Sequence, residues 1–134
     1  MNVFVDSSFY ISLLRQEDRN HARAKDALGD AATQSAVFYT SQYVIDETAT
    51  VLSMRVSKAS AVAFLNATEE EDFPIILAVD EEVRRQGYAI FRVAKDKDIS
   101  MVDCYCAALM KRHAIFKCLT FDKQFIQLGF RIIE

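Results

Sequence analysis

Apolar positions follow two rhythms along the 134-residue chain: short uninterrupted runs, and longer stretches at helical spacing. The first run covers residues 3–5, and behind it Phe9, Ile11, Leu13 and Leu14 form a short helix that Ser7 or Ser8 can cap. A second helix fits residues 21–28 and is expected to stop at Gly29. Residues 37–40 make a second strand, and Ser41 then caps a long helix over 42–55. Ser57 caps another, which carries Ala61, Val62, Phe64 and Leu65 before the acidic run 69–72. Pro74 opens a third strand, 75–79. Over 81–95, Val83, Gly87, Ile90, Phe91 and Ala94 recur at helical spacing. The helix at 101–112 is apolar nearly all round, which suits burial against a sheet. A fourth strand at 118–121, a short helix holding Phe125 and Leu128 that Gly129 stops, and a fifth strand at 130–133 complete the pattern. Strands alternating with helices predict a three-layer α/β/α sandwich around a five-stranded, mostly parallel sheet, with residues 1–134 as one domain.

Composition narrows the class. Half of the residues are hydrophobic, with only 3 Gly and 1 Pro, which excludes a disordered tail or a loop-rich scaffold. No apolar stretch approaches the roughly 18 residues of a membrane span. No basic leader precedes the first strand, so a soluble, cytoplasmic protein is expected. Cys104, Cys106 and Cys118 are odd in number, lie among apolar residues and lack ligand spacing; they read as buried, reduced thiols. A net charge of -3 argues against a tight, nonspecific nucleic-acid binder.

Four acids change the picture. Asp6 follows the first strand, Glu47 lies inside the long helix, Asp103 opens the apolar helix, and Asp122 follows the fourth strand. In an open parallel sheet, side chains just beyond the carboxyl ends of the strands face one crevice. Carboxylates gathered there hold a hard divalent cation or repel one another. With these four set aside, the rest of the chain is weakly basic.

Each acid also has a plainer reading. Asp6 can be a helix N-cap, although the two serines behind it can do that work. Helical phase separates Glu47 from its neighbour: counted from Val44, the apolar face centres near ~40°, Asp46 falls near ~200° and Glu47 near ~300°. Asp46 therefore points to solvent, and Glu47 sits at the rim of the core face beside Val51 and Met54. Ser100 to Asp103 matches a capping box, but Cys106, Ala107 and Met110 share the Asp103 face and turn it inward. Asp122 can cap the short helix after it; Thr120 and Asp122 alternate with Leu119 and Phe121, which aims both polar residues one way. His21 and His113 have no ligand-spaced companion and read as surface residues. No P-loop, G-x-G-x-x-G or G-x-S-x-G elbow occurs.

The opening V-F-V-D-S-S with Asp6, an acidic helix position at Glu47, the segment I-S-M-V-D-C-Y-C-A-A-L-M with Asp103, and T-F-D-K-Q-F with Asp122 together resemble the PIN-domain ribonucleases. Among these the chain is most similar to the small VapC-type toxins of prokaryotic toxin-antitoxin modules. The resemblance implies strand order 3-2-1-4-5, with Asp6 beside Asp122 and with Glu47 and Asp103 over them. It implies a Mg²⁺- or Mn²⁺-dependent cut of single-stranded RNA. Asp6 and Asp103 would be the principal metal ligands, Asp122 a ligand directly or through water, and Glu47 a second-site ligand or water-orienting base. Ser7, Ser100 and Thr120 would orient the acids. Expected partners are RNA, a separate antitoxin of the VapB type docking on the helices between residues 42 and 65, and a second copy in a homodimer. Arg15, Arg19, Lys95, Lys97, Lys111 and Lys123 stand near the acids in sequence and could track the RNA backbone.

The rivals are a housekeeping RNA-processing nuclease, a non-catalytic binding module and a phospho-accepting receiver domain. The receiver needs paired acids after the first strand, an acceptor after the third and a Lys after the fifth. Here Asp80 could mimic the acceptor, but Ser7 follows Asp6 and no Lys follows the fifth run.

Overall fold

A computed structural model describes residues 1–71 and 73–133. In chain order the elements are β1 (Asn2–Val5), α1 (Ser7–Leu14), α2 (His21–Thr33), β2 (Val37–Ser41), α3 (Gln42–Arg55), α4 (Lys58–Glu70), β3 (Ile75–Leu77), α5 (Glu81–Val93), α6 (Met101–Arg112), β4 (Lys117–Leu119), α7 (Gln124–Gln127) and β5 (Arg131–Ile133). The sheet runs β3-β2-β1-β4-β5, and every pairing is parallel. β1 is the central strand; Phe4 sits level with Tyr39 on one side and Cys118 on the other. Strands are added outward from β1 on one side as β2 and β3 and on the other as β4 and β5, so its carboxyl end is the topological switch point.

Burial follows the predicted pattern closely. Val3, Phe4, Val5, Cys118 and Leu119 form the buried centre of the sheet, and Phe9, Ile45, Leu52, Leu109 and Phe125 close on it from the helices. Each such side chain contributes about 1.5–3 kcal/mol of transfer free energy. α6 is buried from Cys106 through Met110, as its all-round apolar surface requires. It packs against α5 where Gly87 leaves room: a Cβ there would stand 2.6 Å from Cδ1 of Tyr105. All three cysteines are free and buried, and no helix among the described residues is long and apolar enough to cross a membrane.

Several boundaries differ from expectation. Asp6, not Ser7 or Ser8, is the N-cap of α1: its backbone is still extended, and its carboxylate accepts from the Ser8 N–H. α2 runs through Gly29 to Thr33 because Ala24, Ala27 and Ala31 continue one buried stripe. Past its Gln34 cap the chain turns at Ser35, whose positive φ of 58° lets the Ser35 and Ala36 N–H groups close back on Ala32 and Ala31. β3 stops at Leu77 and β4 at Leu119, shorter than the apolar runs suggest. β5 begins at Arg131 rather than at Phe130. Phe91 is exposed although its spacing put it on the core face of α5. Asp72, the last acid of the run after α4, lies outside the described residues.

Candidate functional site

Asp6 leaves the central strand at the switch point and is 3 % exposed. One of its oxygens is heavily engaged. The Ser8 and Thr120 hydroxyls each donate to Oδ2 at 2.9 Å, and the Ser8 N–H reaches the same atom at 3.4 Å. Backbone amides set the direction of both hydroxyls, because the Phe121 N–H donates to Ser8 Oγ (3.1 Å) and the Asp122 N–H to Thr120 Oγ1 (3.0 Å). The two hydroxyls also stand 3.0 Å from each other, so Ser8, Thr120 and Asp6 form one connected network. None of the three bonds to Asp6 reaches Oδ1, the other oxygen.

Burial and hydrogen bonding oppose each other on this carboxylate. Bonds to an ionised group contribute about 1.5–3 kcal/mol each, whereas taking an unpaired carboxylate out of water costs several kcal/mol. Burial wins: it raises the pKa of Asp6 above the ordinary carboxylate value, the Ser8 and Thr120 hydroxyls and the Ser7 backbone pull it back only in part, and Glu47 pushes it further up.

Asp103 stands in the first turn of α6. The capping box forms as the sequence predicts, with the Asp103 N–H donating to Ser100 Oγ at 3.0 Å and the Ser100 N–H to Asp103 Oδ2 at 3.1 Å. The capping amide again takes one oxygen, Oδ2, and does not reach Oδ1. Burial pushes the pKa up to about 6, with the charges of Asp6 and Asp122 adding to the rise. Asp122 repeats the arrangement: Oδ1 accepts from the Gln124 N–H at 2.9 Å and Oδ2 is open. Glu47 is exposed, on the edge of the face formed by Val44, Ile45, Thr48 and Leu52, and Asp46 is exposed opposite it.

The fold therefore brings the four acids within electrostatic reach of one another, since Asp6 feels Glu47 and Asp103 feels both Asp6 and Asp122. No Lys or Arg among the described residues pairs with any of them. No three His, Cys, Asp or Glu side chains among the described residues stand as a ready cage for a metal. A hard cation such as Mg²⁺ does not need one, because it keeps several waters and binds through one or two carboxylates. Oxygen donors alone, each held by one atom and open at the other, in a buried and uncompensated negative crevice, fit such an ion.

The orienting residues divide unevenly. Thr120 donates to Asp6, and the Ser100 N–H donates to Asp103. On the Asp6 side the hydroxyl belongs to Ser8, whereas Ser7 faces Asp6 through its backbone. A D-x-S pattern at a strand-to-helix turn is the signal for Ser8, because side chains of a first helical turn lean back toward the cap. The basic residues also separate. Arg15 is paired with Glu17 and Lys97 with Asp98. Lys95 and Lys111 line a hollow with Ile90 and Leu128. Arg19 and Lys123 line a cleft next to Asp122, together with Arg23, which spacing did not single out.

The family model for the PIN domain matches residues 3–131. The 23S rRNA-specific endonuclease VapC20 of Mycobacterium tuberculosis is 29% identical over 128 residues, covering 96% of this chain and 95% of that protein. The crystal structure of VapC20, described as a sarcin-ricin loop cleaving toxin, superposes with a TM-score of 0.84 at 28% identity, over 96% of each chain. FitAcB from Neisseria gonorrhoeae shares the fold, with a TM-score of 0.74 at 21% identity over 98% of this chain and 96% of that one.

Proposed function

This chain belongs to the PIN domain family, and from that membership we propose that it is a divalent-metal-dependent endoribonuclease, the toxin of a type II toxin-antitoxin pair. The observation that carries the reading is the shared state of Asp6, Asp103 and Asp122: one oxygen held by the protein, the other open, and no basic partner among the described residues. Asp6 and Asp103 would hold the ion, Mg²⁺ or Mn²⁺, with Asp122 as a further ligand, and Glu47 would orient the attacking water or serve a second ion. When bound, the cation acidifies water and neutralises charge on the phosphoryl oxygens. Ser8 and Thr120 keep the Asp6 carboxylate turned, and Ser100 keeps that of Asp103, so the acids need not reorganise as the reaction proceeds. The nucleophile is water rather than the ribose 2′-OH.

The likeness to VapC20 supports ribosomal RNA as the first substrate to test. We place the protein in the cytoplasm as a homodimer held in check by a separate antitoxin of the VapB type. Met54, Val56, Val62 and Leu65 are exposed on and between α3 and α4, which gives that partner an apolar strip.

Incubation with RNA in Mg²⁺ or Mn²⁺ should yield 5′-phosphate and 3′-hydroxyl ends, and excess chelator should stop the reaction. Products ending in 2′,3′-cyclic phosphate, or full activity in chelator, would overturn the proposal.

A further inference from the structure

Beside the acid crevice, Arg19, Asn20 and Arg23 face Phe121 and Lys123 across a cleft of about 440 Å³. One wall is the segment that follows β4, the same segment that carries Thr120 and Asp122; the other is the approach to α2 and its first turn. The side chains of Arg19 and Lys123 make no ion pair or hydrogen bond among the described residues, although acids are common on this chain. Arg23 donates to Asn20 Oδ1 at 3.1 Å and lies over the Phe121 ring, 5.4 Å from its centroid. Phe121 also stacks on Phe9, with centroids 5.7 Å apart. Its ring is thus engaged twice, and the cleft offers cationic donors rather than a vacant aromatic face.

We propose that this cleft binds the sugar-phosphate backbone of the RNA strand next to the scissile bond, with Arg19 and Lys123 as positioning residues that contact phosphate. The inference rests on the ribonuclease reading of the adjacent acids and adds to it where the strand lies. Crevice and cleft are complementary: uncompensated acids would repel RNA, and the cations of the cleft, of which Lys123 directly follows Asp122, anchor it. Phosphate contacts carry no sequence information, so the cleft sets position and affinity while base choice is made elsewhere.

The test is equilibrium binding of single-stranded oligo(U) and oligo(A) to the full chain, by fluorescence anisotropy in chelator over a range of salt. Arg19→Ala and Lys123→Ala are compared with Arg85→Ala, a surface cation paired with Glu81 on α5. The slope of log affinity against log salt should fall by about 0.7 for each lost phosphate contact. The loss should be equal for both oligomers and recovered by Arg19→Lys, and Arg85→Ala should bind as the native chain does. In cleavage assays it should fall on KM rather than kcat. An unchanged slope, a loss that depends on the base, or a native chain that binds neither oligomer overturns the cleft. A native chain that binds as expected but cuts nothing in Mg²⁺ or Mn²⁺ overturns the ribonuclease reading instead and leaves the cleft standing.

Discussion

The two ends of the α5–α6 pair present the same residue type in opposite circumstances. At one end Asp80 caps α5, accepting from the Val83 N–H at 2.9 Å, and Arg112 at the end of α6 donates to its other oxygen at 2.6 Å. Those partners, the backbone bond first, hold its carboxyl below the usual range. At the other end of α6, Asp103 is also in a capping arrangement, yet burial and the neighbouring acids raise it to about 6. Both aspartates serve a helix terminus. Only Asp80 has been given a cation, and only Asp103 has been set among like charges. Capping is thus common to both acids, and the partner of the second oxygen is what differs between them.

The largest effect expected from this contrast is on catalysis. Asp6→Asn or Asp103→Asn should remove nearly all RNA cleavage, whereas Asp80→Asn should leave the rate close to native and lower the thermal midpoint. Initial rates on one RNA substrate for the three variants decide the matter, and equal loss in all three would erase the distinction. A smaller effect is expected at the hydroxyls. Ser8→Ala and Thr120→Val leave Asp6 in place but unturned, and a loss of roughly 10–100-fold in single-turnover rate is predicted, the range for residues that orient a metal ligand. A Ser7→Ala variant should lose less than Ser8→Ala, which sharpens the choice between the two serines.

The smallest effect, and the cleanest in sign, is on stability against pH. The native state of Asp103 holds its proton up to about 6, whereas the unfolded chain releases it near about 4. Between those values the native state binds more protons, so its stability falls as pH rises. Asp80 has the reverse sign: its folded pKa is depressed, so its contribution is present above the unfolded value and is lost as pH falls through the folded one. Urea midpoints measured from pH 3 to 8 should show Asp103→Asn gaining on the native chain as pH rises through about 6. Asp80→Asn should instead lose its disadvantage in acid. Parallel curves for all three proteins would contradict both assignments.

Much of this was legible in the amino-acid sequence, and what was not has identifiable causes. The strands announced themselves as apolar runs because both faces of a parallel sheet are covered by helices. Their ends did not: Phe121 extends the apolar run past Leu119, yet its ring belongs to the Phe9 stack and not to the sheet. Gly29 looked like a helix stop, but a stripe of buried alanines outweighs one exposed glycine. The acids could be located by position, and helical phase separated exposed Asp46 from Glu47 at the rim. That Asp6 is held through a single oxygen was not legible, since it depends on hydroxyls from segments as distant as Ser8 and Thr120. Arg23 was missed for the same reason: its place beside Phe121 comes from tertiary packing.

The central claim is that the open oxygens of Asp6 and Asp103 take up a divalent cation that the protein's own charges do not replace. Thermal unfolding of the native chain, Asp103→Asn and Asp80→Asn over a titration of Mn²⁺ tests it without reference to any substrate. An ion that binds only the folded state raises its stability with ion concentration. The native chain and Asp80→Asn should show the same saturable rise in midpoint, and Asp103→Asn should show little or none. An equal rise in all three, or no rise in the native chain, would contradict it.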